Sequence, residues 1–329
     1  MSTFKKFTEG GKLFGPAALR VTNSEMQAVY QELKNRIGDL FSMFELTKTL
    51  QSKQDHGDID ILVLAEPNTD IKEQLSRLLG NDLVQYSKND NTHSILYYSK
   101  AINKKVHVDL IASTSSAAFQ NKLHYYSLND FSAAIGTVSK KLHFKYGSEG
   151  VFKRFRDQKT VWHDIPLNLG LLEGLKIFGF DMTLYPKIKN PDDIINFIAS
   201  SPLVDGSFFV HEDLTAADRQ AVNKRPIMDY ILDELRKKNL HQEIADEDYF
   251  FKKYYPELYQ QTELKKQEFN QATYKNVPNF NGNWLMQTFG LKSGPQVGEI
   301  MKKMYQKFGN NLEQTPPDEV VRFVQELLK

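Results

Sequence analysis

The stretch Lys53-Gln54-Asp55-His56-Gly57-Asp58-Ile59-Asp60-Ile61-Leu62-Val63-Leu64 decides how the front of this chain is read. From Asp58 onward it is β-branched and apolar, and it runs into the turn-forming Ala65-Glu66-Pro67-Asn68, so the pattern predicts a strand over 58–64. Side chains two apart on a strand share a face, which brings Asp58 and Asp60 together. Two like charges buried there unpaired are costly. Hard cations such as magnesium take carboxylate oxygens and keep positions open for phosphates. Gly57 precedes the pair, where a chain can approach a ligand closely. A lone Asp-x-Asp is also a common solvated strand edge. What argues for a metal is a third carboxylate, Asp109, inside a second apolar run, Lys105-Val106-His107-Val108-Asp109-Leu110-Ile111. If that strand lies beside the first, three carboxylates converge, as a two-metal phosphoryl-transfer site requires.

Around this pair the front of the chain reads as a small mixed sheet. Thr22 to Ser24 caps a predicted helix over 25–41, with Met26, Val29, Tyr30, Leu33 and Ile37 on one stripe. Strands are predicted over 44–50, 83–86, 94–98 and 106–111, and a helix over 69–79 stopped by Gly80-Asn81. Residues 1–22 read as a loop or loose strand pair. Beyond about residue 155 strands mostly vanish, and helices are predicted over 167–178, 192–198, 226–238, 246–275, 297–308 and 317–328. The fold expected is an α/β (α+β) head over 1–155, then a mostly α-helical body over 156–329 with a possible subdivision near 245.

Composition narrows the chemistry. The chain has 329 residues, enough for two or three domains, and no cysteine, which excludes disulfides, thiolate metal sites and a cysteine nucleophile. The eight histidines show no zinc-type spacing. His163 and Asp164 read as a helix cap before Pro166. The N-terminus lacks the apolar core of a signal peptide, and no stretch is apolar and long enough to span a membrane. The expectation is a cytoplasmic protein; oligomeric state stays open. Net charge is +1, but residues 1–160 carry 22 Lys+Arg against 17 Asp+Glu, which leaves the front half mildly basic and weakly favours a phosphate-bearing partner.

Gly57-Asp58-Ile59-Asp60-Ile61-Leu62-Val63, followed by Val106-His107-Val108-Asp109-Leu110, resembles the nucleotidyltransferase superfamily of DNA polymerase beta, and most of all the family X polymerases. Tyr125-Tyr126-Ser127-Leu128-Asn129-Asp130-Phe131 and Leu142-His143-Phe144-Lys145-Tyr146-Gly147 resemble later segments of that family, so the likeness covers about residues 40–150. It implies a nucleotidyltransferase head in which Asp58, Asp60 and Asp109 hold magnesium (manganese possible). It also makes Asp109 the candidate general base and sets Tyr126 near the nucleotide sugar. The chain departs from the superfamily where a Gly-Ser pair holds the triphosphate: Thr47-Lys48 stands there. Thr47, Lys48, Thr49 and Lys53 are then the groups available to phosphate oxygens. The arginine usual in that loop is Gln51. His107 stands where the family often has arginine and would share a face with the carboxylates.

Near the C-terminus, Phe289-Gly290-Leu291-Lys292-Ser293-Gly294-Pro295-Gln296-Val297-Gly298 predicts a turn and a helix opening at Pro295. Over some twenty residues it resembles the tail segment of bacterial CCA-adding tRNA nucleotidyltransferases and poly(A) polymerases. A helix N-terminus behind glycines exposes amides to phosphate, which makes Lys292, Gly294, Gly298 and Lys302 acceptor-binding candidates. The interleaved aromatics and lysines of 249–255 suit single-stranded nucleic acid, and suit equally a buried helix with snorkelling lysines. The function expected is magnesium-dependent transfer of a nucleoside monophosphate to a nucleic-acid 3′-hydroxyl, with a tRNA-like RNA slightly preferred. The alternatives are a family X-like DNA polymerase, transfer to a protein or small molecule, and a non-catalytic nucleotide- or nucleic-acid-binding protein.

Overall fold

The computed structural model describes residues 13–66, 69–156, 162–274, 280–309, 312, 315 and 317–328. The readings made for residues 1–12, for Pro67-Asn68, for Lys275 and for Asn279 lie outside the described residues. The chain divides into two compact units, Met1–Arg154 with Pro166–Tyr259, and Phe155–Ile165 with Gln260–Lys329.

The first unit is mixed α/β. After β1 (Val21–Thr22), α1 (Asn23–Ile37) starts at a capping box in which Thr22 and Glu25 satisfy each other's backbone donors. Its stripe of Met26, Val29, Tyr30, Leu33 and Ile37 is buried, and each aliphatic in it contributes roughly 1.5–3 kcal/mol. β2 (Phe41–Leu46), β3 (Asp55–His56) and β4 (Ile59–Ala65) follow, then α2 (Ile71–Leu79), which ends at Gly80 with φ 55°. β5 (Leu83–Asn89), β6 (Thr92–Ser99) and β7 (Lys104–Ser113) complete a five-stranded sheet in the order β2-β4-β7-β6-β5. Only β4 and β7 pair parallel; the other three pairings are antiparallel. One face of the sheet (Ile59, Ile61, Val63, Ile95, Val106, Val108, Leu110) packs with α1 and α2. On the opposite face Leu62 and Ile111 pack against Phe119 of α3 (Ser116–Tyr126), while Asp60 and Asp109 share that face in register.

A second core in the same unit joins α4 (Phe131–Lys141), the hairpin of β8 (Phe144–Gly147) and β9 (Gly150–Arg156), and the helices α5 (Leu171–Gly174), α6 (Pro191–Ala199), α7 (Ala216–Lys224), α8 (Pro226–Lys237) and α9 (Tyr249–Tyr254). Lys153 is buried there, paired with Asp248 at 2.6 Å. The second unit holds the rest of α10 (Pro256–Tyr274) and three short helices, α11 (Gly282–Phe289), α12 (Pro295–Phe308) and α13 (Pro317–Leu327), around Leu285, Ile300, Met304, Val320 and Val324.

Several expectations shift. The strand predicted over 44–50 lies at Phe41–Leu46, and 47–50 is irregular. The segment 162–166 is a strand, β10 (Trp162–Pro166), so His163 and Asp164 cap no helix. The helix predicted over 167–178 is one α turn and a 3-10 turn. Gly174 sits at the junction of the two turns, where a Cβ would stand 2.4 Å from Val151, so no larger residue fits there. The single helix predicted over 246–275 is two, because Pro256 offers no N–H and drives Tyr255 out of helical geometry to φ −137°, ψ 57°. The predicted opening of a helix at Pro295 holds, with Gly290 closing the preceding helix at φ 65°.

Candidate active site

β4 and β7 are neighbours in parallel register, and the register sets Asp60 directly opposite Asp109. Asp58 stands in the bend that Gly57 begins, just ahead of β4 rather than inside it. Burial, then the charges of Asp58 and Asp109, push the Asp60 carboxyl up to about 7. Burial opposes the charge most, and the two neighbouring acids add to it.

Asp109 is held on one oxygen. Ser94, its partner across β6–β7, donates to Oδ1 at 2.5 Å, and His107 Nε2 stands 2.9 Å from the same atom. The ring of Phe14 meets His107 edge-on at 4.9 Å. The His107 Nδ1 is buried and has no hydrogen-bond partner among the described residues. Its neighbouring carboxylates hold the imidazole above its ordinary range against the opposing effect of burial. Ligand atoms of Asp58, His107 and Asp109 lie within 4.8 Å of one another. The carboxylate oxygens of Asp58 and Asp109 suit a hard divalent cation such as magnesium or manganese, with His107 as the partner that orients Asp109; Asp60 stands outside this group of three. A cation there would also offset the part of the Asp60 shift that comes from its neighbours' charge.

Two of the three carboxylates open on a cleft of about 440 Å³, which Asp109 does not line. It is lined by Asp58 and Asp60, and by Thr47, Lys48, Thr49, Lys53 and Tyr126. Thr47 is buried, and its hydroxyl donates to the Asp60 carbonyl at 3.2 Å. It therefore anchors the loop to β4. Lys48 is exposed and Lys53 half-buried, and neither forms an ion pair with a described residue. The loop is held from outside. Lys48 N donates to Ser127 Oγ, Leu50 N to Asn129 Oδ1, and Leu128 N to the Lys48 carbonyl. Leu128 and Asn129 are both left-handed, φ 62° and 55°. Strain of this kind persists only where the surroundings over-determine it. From the other side, Asn23 donates to the Lys53 carbonyl and stands 2.7 Å from His56 Nε2.

Reading the sequence did not find Ser94, nor Lys224 and Arg225, which line the same cleft. Arg225 bonds Asp130 at 3.3 Å, and burial raises that carboxyl. Nothing local marks these residues, since α7 and α8 reach the cleft only through the fold.

Lys292, Gly294, Gly298 and Lys302 belong to the second unit and are exposed on and before α12. A Cβ on Gly294 or Gly298 would meet nothing within 4 Å, so packing requires neither glycine. Among the described residues no helix is long and apolar enough to cross a membrane. No protein-family model matches this chain, and no curated protein matches it in sequence.

Proposed function

We propose that the chain is a magnesium-dependent nucleotidyltransferase that moves a nucleoside monophosphate from a nucleoside triphosphate to a nucleic-acid 3′-hydroxyl, a tRNA-like RNA in preference to a DNA primer. The observation that carries this reading is the parallel pairing of Asp60 with Asp109, with Asp58 and Asp60 on the wall of a cleft that also presents Lys48 and Lys53. In the transfer the acceptor oxygen bonds the α-phosphorus as the bond from that phosphorus to the bridging oxygen breaks. Pyrophosphate leaves with the electron pair, and the hydroxyl proton passes to Asp109. Bound at Asp58, Asp60 and Asp109, magnesium or manganese would supply charge neutralisation of the triphosphate and of the attacking oxygen. The lysines bind phosphate oxygens as point charges, and Tyr126 walls the sugar side.

A panel of acceptors tests this: total tRNA, tRNA lacking its 3′ end, single-stranded RNA and a gapped DNA duplex, each with magnesium and each labelled triphosphate. Label on one acceptor, lost in Asp58→Ala, supports the reading and identifies the substrate. Label on none overturns transfer to nucleic acid. A second reading, a non-catalytic binding protein on the same fold, is favoured by one observation. Lys48 stands where the phosphate-binding serine is expected, and the neighbouring Thr47 hydroxyl is committed to the Asp60 carbonyl.

A further inference from the structure

A second cavity, of about 530 Å³, lies in the first unit against the β5–β6 turn and one side of α3. Its position relative to the carboxylates follows from register. Thr92 and Ile111, which line it, are paired across β6–β7 and lie two residues beyond the pair Ser94–Asp109. They are therefore on the same sheet face, roughly 7 Å further along the strands. Tyr126, 37% exposed, lines both cavities and so makes them neighbours.

The chemistry of the second cavity is unlike that of the first. Its walls offer the amides of Asn89 and Asn91 and the hydroxyls of Thr92, Thr114 and Ser148, donors and acceptors without charge. The charged groups are the carboxylates of Asp90 and Glu149 against a single lysine, Lys122. The Lys122 ammonium already donates to the Ala112 carbonyl at 2.6 Å. Such a wall repels phosphate and attracts sugar hydroxyls and base edges. Among the described residues Tyr126 is the one aromatic residue in the cavity's lining, and so the ring on which a base can stack.

We infer that this second cavity is the acceptor subsite of the transferase, and that it takes an uncharged nucleoside unit end-on, its ring against Tyr126 and its free hydroxyl toward Asp109. The assignment rests on the nucleotidyl-transfer reading and adds a division of labour to it. The triphosphate occupies the lysine-lined cleft and the acceptor nucleoside the second cavity, with Tyr126 common to both and Asp109 two residues along the strand from Ile111. Any phosphates of an acceptor strand stay outside the cavity.

Equilibrium binding tests this independently of turnover. The probes are a non-hydrolysable triphosphate analogue with magnesium, the four free nucleosides, and a short oligonucleotide ending in either a 3′-hydroxyl or a 3′-phosphate. The variants are Asn91→Ala/Thr92→Val in the second cavity and Lys48→Ala/Lys53→Ala in the first. The cavity-two variant is expected to weaken nucleoside or 3′-hydroxyl oligonucleotide binding about tenfold, the scale of one or two lost hydrogen bonds, and to leave the analogue within twofold. The lysine variant is expected to do the reverse. Free nucleoside binding as well as the oligonucleotide identifies a free nucleoside as the acceptor; oligonucleotide binding alone identifies a strand end. The inference is overturned if neither probe binds, if the analogue displaces the nucleoside, if the 3′-phosphate oligonucleotide binds as tightly as its hydroxyl form, or if the cavity-two variant leaves acceptor binding unchanged. Loss of analogue binding together with absence of transfer would instead count against the nucleotidyl-transfer reading, because the acceptor arms are scored separately.

Discussion

Asp60 is the residue at which this protein is most at odds with its own fold. Its carboxylate sits across from Asp109 and beside Asp58, where burial and like charge both oppose ionisation. Removing that charge should therefore relieve the apo protein. Asp60→Asn is expected to raise stability without divalent cations by about 1 kcal/mol, within the range found for relieved functional sites. Nucleotide incorporation should be lost in the same variant. Urea unfolding in a chelator reads the first effect; an unchanged or lowered midpoint would mean that the carboxylates do not repel one another. Much of this was legible in sequence. The Asp58/Asp60 spacing and the lone acid of the 105–111 run both pointed to convergence, and the register supplied the pairing. Reading Asp58 as a strand residue was less accurate, since it precedes β4 in the bend. His107 was legible as a neighbour on the same face, but Ser94 was not, because a serine in a strand carries no pattern of its own. Asn129 makes a second residue-scale case. Its carbonyl oxygen accepts from Leu50 N while its backbone is left-handed, a conformation asparagine tolerates better than most residues. Asn129→Ala should raise KM for the triphosphate roughly tenfold through the loosened loop, with kcat less affected, and Asn129→Asp should restore most of the loss. A fall in kcat alone, or no rescue by aspartate, would argue against a positioning role.

At the scale of elements, sequence served well where one face is buried and poorly where backbone chemistry or distant packing decides. Four of the five sheet strands and α1 were legible from their apolar residues, whereas β2 was placed three residues too far along the chain. The break at Pro256 was written in the chain but overridden by the helical texture on both sides. α3 was missed because Ser116-Ala117-Ala118 and the polar residues after it give no amphipathic stripe, its burial being carried by Phe119. α7 was missed for a similar reason, being largely polar. α12 offers the test at this scale. Gly298 lies in its first turns, exposed, with open space where a Cβ would be. Glycine costs a helix interior roughly 0.5–1 kcal/mol against alanine. Gly298→Ala is thus expected to stabilise α12 by that amount, read by denaturant unfolding followed at Trp284, which belongs to the same small core. If oligonucleotide affinity falls in the variant that is more stable, the glycine serves close approach of a ligand. If stability does not rise, the helix does not carry that residue in the way described.

For the whole molecule, the balance of shifted groups determines how the fold responds to acid. Burial lowers His56 to about 4, and lowers His93 and His124 as well. The Tyr86 hydroxyl stands 2.6 Å from His93 Nδ1, a contact best made with that nitrogen unprotonated. In the unfolded chain these rings titrate near 6.5, so below that pH the unfolded state binds protons that the folded state refuses. Stability is then lost as pH falls from about 6.5 toward 4. Asp60 acts in the opposite direction. Its folded value is raised to about 7, so the folded state takes up a proton that an unfolded aspartate accepts only near 4, and its penalty fades as pH falls through 7. His107, also raised, adds to that opposing side. Wild type should therefore show a shallow decline in urea midpoint between pH 7.5 and 5.5. His93→Gln removes one of the acid-sensitive groups and should make the decline shallower still. Asp60→Asn removes an opposing group and should make it steeper, with its advantage over wild type greatest at pH 7.5 and shrinking by pH 5.5. Saturating magnesium should steepen the wild-type profile in the same sense, because a cation among the carboxylates offsets the neighbouring charge that adds to burial in raising Asp60. Parallel profiles for wild type, His93→Gln and Asp60→Asn would show that neither the buried ring nor the crowded carboxylates govern the acid response. Convergence of the Asp60→Asn and wild-type midpoints only at low pH would locate the conflict within the fold at the carboxylates that make up the candidate active site.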